Sequence, residues 1–372
     1  MIGTNVLTTN YADQAAIAAR TYHYWVKATN ALGISGFSAS DTGWQKMLPP
    51  ANVVASDGES TDGIPITWDP VVGAELYEIW RNTSNSLVEA VSKGIQASGF
   101  EDDDVAHDTL YYYWVIASNS TFGSSDFSLP DTGFRGIPDV ESVTASDGTF
   151  TNKISLVWDF DGAGTLTAFE IWRNTVNNSN TASIIGRTEG NAFDDFSAAT
   201  GSVHYYWIRA TNSVAQSGLG ADSGWVSLTE PAGLTASDGT FTDKIELAWT
   251  ALTGATGYSI YRDTSNNSAT AVSIGSAAGT SFSDTTAAAG TLYYYWLKAT
   301  NALDTSDFSA GDTGWVRMAP PTGVAASKGT YSDRIAVGWN AAAGATHYVV
   351  YRHTADDSGA AAEVAITNAT SL

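Results

Sequence analysis

Apolar and polar positions alternate with a period of two in short runs along the chain, as at 52–55 (NVVA), 64–68 (IPITW), 76–80 (LYEIW), 110–117 (LYYYWVIA) and 126–129 (DFSL). The runs are rich in β-branched and aromatic residues and are separated by clusters of Gly, Asp, Asn and Ser, which predicts strands joined by turns. No helical period is sustained. Strands this short bury one face only by packing sheet on sheet, so the expected fold class is all-β, an antiparallel sandwich.

The pattern recurs. Trp68, Trp158, Trp249 and Trp339 lie in matching contexts (PITWDP, SLVWDF, ELAWTA, AVGWNA) spaced 90, 91 and 90 residues apart. A second series, Trp25, Trp114, Trp207 and Trp296, lies in HYWVKATN, YYWVIASN, YYWIRATN and YYWLKATN. The predicted organisation is a tandem array: three whole units at 48–136, 137–228 and 229–318, with 1–47 holding only the second half of a unit and 319–372 only the first half. Half a unit cannot close a core by itself. Another copy of the chain is therefore the expected partner of each half, with Tyr22, Tyr24, Trp25 and Val26 meeting Trp339, Tyr348 and Tyr351 at an intersubunit junction. A contact of this kind that does not close on itself propagates as a head-to-tail filament.

The strand order resembles the fibronectin type III family. The residues that carry the likeness are Trp68 on the second strand, Tyr77 and Ile79 on the third, and the YxYxVxAxN run ending at Asn119. Phrases such as ASDGTFTDKI and SDFSA.DTGW are similar to those of tandem arrays in large bacterial exported proteins, which implies an extracellular or cell-surface location. The resemblance further implies that Tyr111 is a corner tyrosine whose hydroxyl bonds back to the backbone. Tyr22 and Tyr293 match it, and His204 departs from it. It also makes the third strand a neighbour of the YxYxVxAxN strand. With Tyr111, Tyr113, Val115 and Ala117 inward, period-two alternation puts Trp114 outward, beside Trp80. Trp172 with Trp207 and Tyr261 with Trp296 follow suit, as does Tyr351 with Trp25 in the split unit. Such pairs stiffen a sheet under Arg or Lys stems, or form faces for lateral contact or sugar stacking.

Composition narrows the partners. A net charge of −22 over 372 residues disfavours nucleic acid and anionic membrane surfaces. Cys is absent, which removes disulfides and thiolate chemistry. No apolar run is long enough for a membrane span, and no signal peptide is recognisable. The 5 His show no ligand spacing, and no GxSxG elbow occurs. Acidic pairs such as Asp102–Asp103 and Asp194–Asp195 read as solvated turn carboxylates, so no enzyme is expected. One acidic feature repeats: SDGESTD at 56–62 and SDGTFTD at 237–243, in which Asp57 with Asp62, and Asp238 with Asp243, could hold calcium; the bland reading is a Gly turn. No cofactor is required.

Two functions follow as expectations. One is a structural extracellular protein, a semi-rigid rod polymerising by complementation of split domains. The alternative is a fragment of a long adhesin, or of a spacer or carbohydrate-binding array attached to an enzyme, with cell-surface or matrix polysaccharide as partner.

Overall fold

The computed structural model describes residues 9–162 and 166–371. In the first whole repeat the strands are β1 (Val54–Ala55), β2 (Ile64–Thr67), β3 (Leu76–Asn82), β4 (Val91–Gln96), β5 (Phe100–Asp102), β6 (Tyr111–Asn119) and β7 (Asp131–Gly133). They form two antiparallel sheets, β1-β2-β5 and β4-β3-β6-β7. The inward residues of both sheets, among them Ile64, Ile66, Tyr77, Ile79, Tyr113 and Val115, share one core. The third repeat repeats the order, with Thr235–Ala236, Ile245–Ala248 and Ser281–Asp284 in one sheet and Val272–Ala277, Gly257–Asp263, Tyr293–Thr300 and Asp312–Gly314 in the other. Its core gathers Ile245, Leu247, Trp249, Tyr258, Ile260 and Tyr295. The second repeat carries the same two sheet orders, Glu141–Ala145, Ile154–Asp159 and Ala192–Asp195, and Ser183–Thr188, Ala168–Asn174, His204–Thr211 and Gly220–Gly224.

By compactness the chain divides into two units, one of residues 1–144, 157–193 and 206–222, the other of 145–156, 194–205 and 223–372. The first contains Tyr22–Tyr24 paired antiparallel with Asp41–Gly43. The second contains Ala325–Ala326 paired with Val337–Gly338 and Tyr348–Arg352 paired with Ala362–Thr367.

The stretch 126–129, expected as a strand, is not one. Ser125 and Ser128 lay it along β6 through their side chains, the Ala117 N–H donating to Ser125 Oγ and the Val115 N–H to Ser128 Oγ, both at 3.0 Å. Before it Gly123–Ser124 pairs with Ser118 and Asn119, and the ladder resumes at Asp131. A hydroxyl can satisfy a strand's backbone donors as a carbonyl would, and the SxxS spacing places one at every bond this edge needs. Ser306 and Ser309 do the same for Ala299 and Leu297.

The corner bonds form. The backbone N–H of Ala106 donates to the Tyr111 hydroxyl at 3.1 Å, that of Ile17 to Tyr22 and that of Ala288 to Tyr293. His204 keeps the same five-residue reach with the polarity reversed. Its Nε2 lies 3.1 Å from the Ala199 carbonyl oxygen, which can only accept, so Nε2 carries the proton.

Asp102 is not a solvated turn residue, contrary to the expectation from sequence. It is fully buried on β5, where Arg81 Nη1 of β3 (2.7 Å) and the Tyr113 hydroxyl of β6 (3.0 Å) both donate to it. Asp284, Arg262 and Tyr295 repeat the cluster at 2.5 and 2.8 Å, and Asp195 is buried at the matching position of the second repeat. Burial by itself would raise the pKa of Asp284, but hydrogen bonds from Thr286, Tyr295 and Arg262 hold it below the usual carboxylate value. The unfolded chain then binds this proton more tightly, so the stabilisation is complete above the unfolded pKa and is lost as pH falls through the folded one. Asp284→Ala, which strands a buried arginine, should cost the third repeat about 3–5 kcal/mol at neutral pH. The gap from the parent should narrow on acidification, read by urea midpoints across the acid range.

Candidate functional site

Two surfaces in the whole repeats are candidates, the outer aromatic face and the acidic loops. Trp80 and Trp114 sit directly opposite each other across β3 and β6, and Tyr261 and Trp296 do so in the third repeat. The face is covered, however. Trp114, Trp207 and Trp296 are only 3%, 7% and 5% exposed, and Trp80, Trp172 and Tyr261 are half-buried. The segment held by the serines supplies the lid: Phe127 meets Trp80 edge-on at 5.8 Å and Phe308 meets Tyr261 at 4.9 Å. Lys298 lies over Phe308, and Arg209 over Trp172. A sugar ring needs an open aromatic face, and these rings spend theirs on their own sheet.

The acidic loops seat the closing aromatic of their own repeat. The Gly58 N–H donates to the Phe134 carbonyl at 2.9 Å, and the Phe134 N–H returns to the Ser56 carbonyl. Gly148 and Gly239 make the same bond to Trp225 and Trp315. Gly239 has φ +63°, and a methyl on it would lie 2.7 Å from Trp315 Nε1, so the loop is a seat for the aromatic that closes its own repeat. Sequence reasoning missed the seat. The spacing of SDG to D[TS]G[WF] inside every whole repeat was the available signal. Around Asp57 the acidic neighbours are Asp131 and Glu59, and burial followed by their repulsion raises its pKa; burial and then Asp312 do the same to Asp238. Ser60 caps this turn, its Oγ accepting from the Asp62 N–H. Among the described residues no three His, Asp or Glu gather into a metal-holding group.

The terminal halves each leave apolar surface open. In the first, Tyr22 and Tyr24 are half-buried, whereas Trp25 and Val26 are 53% and 71% exposed. Asp13 accepts from the Tyr24 hydroxyl at 3.1 Å, and Trp44 packs edge-on against Phe122 of the first whole repeat. In the second, Trp339 stacks edge-on with Tyr348 at 5.4 Å, and both line a cavity of about 410 Å³ with Tyr351, which is 58% exposed. Arg352 is exposed, and a Cβ on Gly329, the loop glycine there, would meet nothing within 4 Å.

Two sheets in the orders β1-β2-β5 and β4-β3-β6-β7, closed at a corner tyrosine, decide the fold. The repeats are fibronectin type III-like. No family model matches the chain. Over 246 residues it is 26% identical to exoglucanase B of Cellulomonas fimi, an alignment covering 57% of this chain and 21% of that protein. Over 102 residues it is 32% identical to an amylopullulanase of Thermoanaerobacterium saccharolyticum, covering 27% of this chain and 8% of that protein. The chain thus spans about a fifth or less of the length of these curated relatives. Similar solved structures include the FN1-FN3 domains of chicken CNTN1 (15% identity, TM-score 0.26, 73% of this chain and 99% of that one). A two-domain fibronectin type III segment of chicken tenascin also matches (13% identity, TM-score 0.37, 47% and 98%). No helix among the described residues is long and apolar enough to cross a membrane.

Two outcomes follow for these fibronectin type III-like repeats. Trp114→Ala should cost about 3–5 kcal/mol in the first whole repeat, as removal of a packed core aromatic does. Asp57→Asn and Asp238→Asn should raise the melting temperature at neutral pH in chelator. A carboxyl whose folded pKa is raised favours folding below its unfolded pKa and opposes it once pH passes the folded value, so losing the charge relieves the fold. A calcium-dependent rise in the parent chain that both substitutions abolish would instead put a cation between these carboxylates.

Proposed function

We propose that the chain is a non-catalytic spacer array that works outside the cell, carried in a protein that acts on polysaccharide. The observation that carries this reading is the use of the buried ionisable groups. Asp102, Asp284, Arg81 and Arg262 are committed to one another and to core tyrosines, which spends these groups on holding the two sheets together. The relatives support the setting, since an exoglucanase and an amylopullulanase each share repeats of this kind over a minor part of their length. The high negative charge keeps such an array soluble and apart from anionic surfaces. The expected outcome is no hydrolysis of cellulose or starch by the purified chain and no retention on either polymer. Release of sugar, or retention abolished by Trp80→Ala with Trp172→Ala, would overturn the reading in favour of catalysis or carbohydrate binding.

A second reading, head-to-tail joining of copies, is favoured by one specific observation. The Arg–Asp–Tyr cluster of the whole repeats is divided between the terminal halves: Asp13 and Tyr24 lie eleven residues apart, as Asp102 and Tyr113 do, and Arg352 stands where Arg81 and Arg262 stand. In this reading Arg352 of one copy pairs with Asp13 of the next. Arg352→Asp should abolish assembly seen by sedimentation, and mixing with an Asp13→Arg chain should restore it. A parent chain that sediments as a monomer at all concentrations excludes it.

A further inference from the structure

The contacts between successive repeats follow one plan that the Pro-containing connections do not foretell. The loop leading into β6, and into its counterparts, carries at its tip a residue with left-handed backbone: Ala19 (φ 54°), Asp108 (61°), Gly201 (85°) and Gly290 (79°). At three junctions this tip rests on the loop between the second and third strands of the next repeat, at Gly73 (86°), Gly254 (84°) and Gly344 (80°). The approach is backbone on backbone. A methyl on Gly201 would lie 2.8 Å from Gly254 Cα, and one on Gly290 2.8 Å from the Gly344 carbonyl oxygen. A methyl on Gly254 would lie 2.9 Å from Thr200 Cγ2, and one on Gly73 would collide with Ala19 Cβ. At the remaining junction Asp108 Oδ1 accepts from the Ser213 N–H of the following repeat at 2.6 Å.

A second grip accompanies the first. The loop after β6 of the following repeat reaches back to the connecting segment. Asp126 pairs with Lys46 at 2.5 Å, the Gly218 N–H donates to Asp139 at 2.7 Å, and Asp304 accepts from the Leu228 N–H at 2.8 Å and from the Ser227 hydroxyl. One contact alone would leave neighbouring repeats free to pivot about it. Two contacts on different loops remove that freedom, and a short connection leaves little chain to absorb any swing.

We propose that the junctions seated at Gly73 and Gly254, which carry both contacts, are two-point joints, glycine seat plus loop clasp, that fix the orientation of one repeat on the next, and that the seat glycines are the residues that set this order. The joint deepens the spacer reading, which it rests on only for its use; its test reads inter-repeat order, so either can fail without the other. Absence of Cys makes the test clean. Spin labels at Thr151→Cys and Thr242→Cys occupy matching exposed loops of the second and third repeats, and their distance distribution in the full chain, read by double electron–electron resonance, should be narrow. Gly254→Ala should broaden it by wedging the seat, and Asp304→Ala should broaden it by releasing the clasp without touching a left-handed residue. Gly123→Ala is the control for strain alone, because Gly123 has φ +78° and a methyl there meets nothing within 4 Å; it should leave the distribution unchanged. Urea midpoints on the same samples identify a variant that has simply unfolded its repeat, in which case the Asp304 variant decides. A broad distribution in the parent, or one equally narrow in the Gly254 and Asp304 variants, would overturn the joint.

Discussion

A carboxylate in the middle of a sandwich is the constraint around which these repeats are built. Asp102 stands on one sheet, and its partners Arg81 and Tyr113 stand on the other. A buried charge left unpaired is far costlier than any surface ion pair is favourable, so the sheets are bound to one register in which both donors reach the same carboxylate oxygen, Oδ2. The apolar residues around it supply the general drive to collapse, and they tolerate small shifts of one sheet over the other. The ion cluster does not. The same three residues recur in the third repeat, and Asp195 is buried at the matching place in the second.

With the sheets fixed, the remaining features serve as closures. The serines beside β6 bond it through backbone N–H and side-chain Oγ together and bring Phe127 onto Trp80 and, in the third repeat, Phe308 onto Tyr261. The SDG loops receive the last aromatic of their own repeat on a glycine whose left-handed backbone brings the main chain under the ring. Both devices turn residues that look like binding chemistry, exposed aromatics and clustered carboxylates, into parts of the repeat's own packing.

Much of this was legible in the chain. Period-two runs, turn clusters and the Trp spacing determined the all-β class, the repeat length and the inward face of β6, because alternation of side chains along a strand is a local property that no partner can reverse. The position of the corner tyrosine was local too, since its bond reaches only five residues back. Even His204 obeys that spacing, although a ring nitrogen meeting a carbonyl had to reverse the bond's polarity.

The tertiary structure alone decided which polar groups were buried and what covered the aromatics. Asp102 next to Asp103 reads as a solvated turn until β3 and β6 bring Arg81 and Tyr113 to it from 21 and 11 residues away. Trp114 reads as outward, and it is, yet only 3% of it is exposed, and its neighbour Trp80 is met by Phe127 from a segment that the serines lay along β6. The seat of Trp315 on Gly239 joins residues 76 apart, and the seat of Gly201 on Gly254 joins two repeats. Sequence determines what each residue can do within its own strand or turn, whereas burial and partnership depend on which distant segment arrives, and only the folded chain brings those segments together.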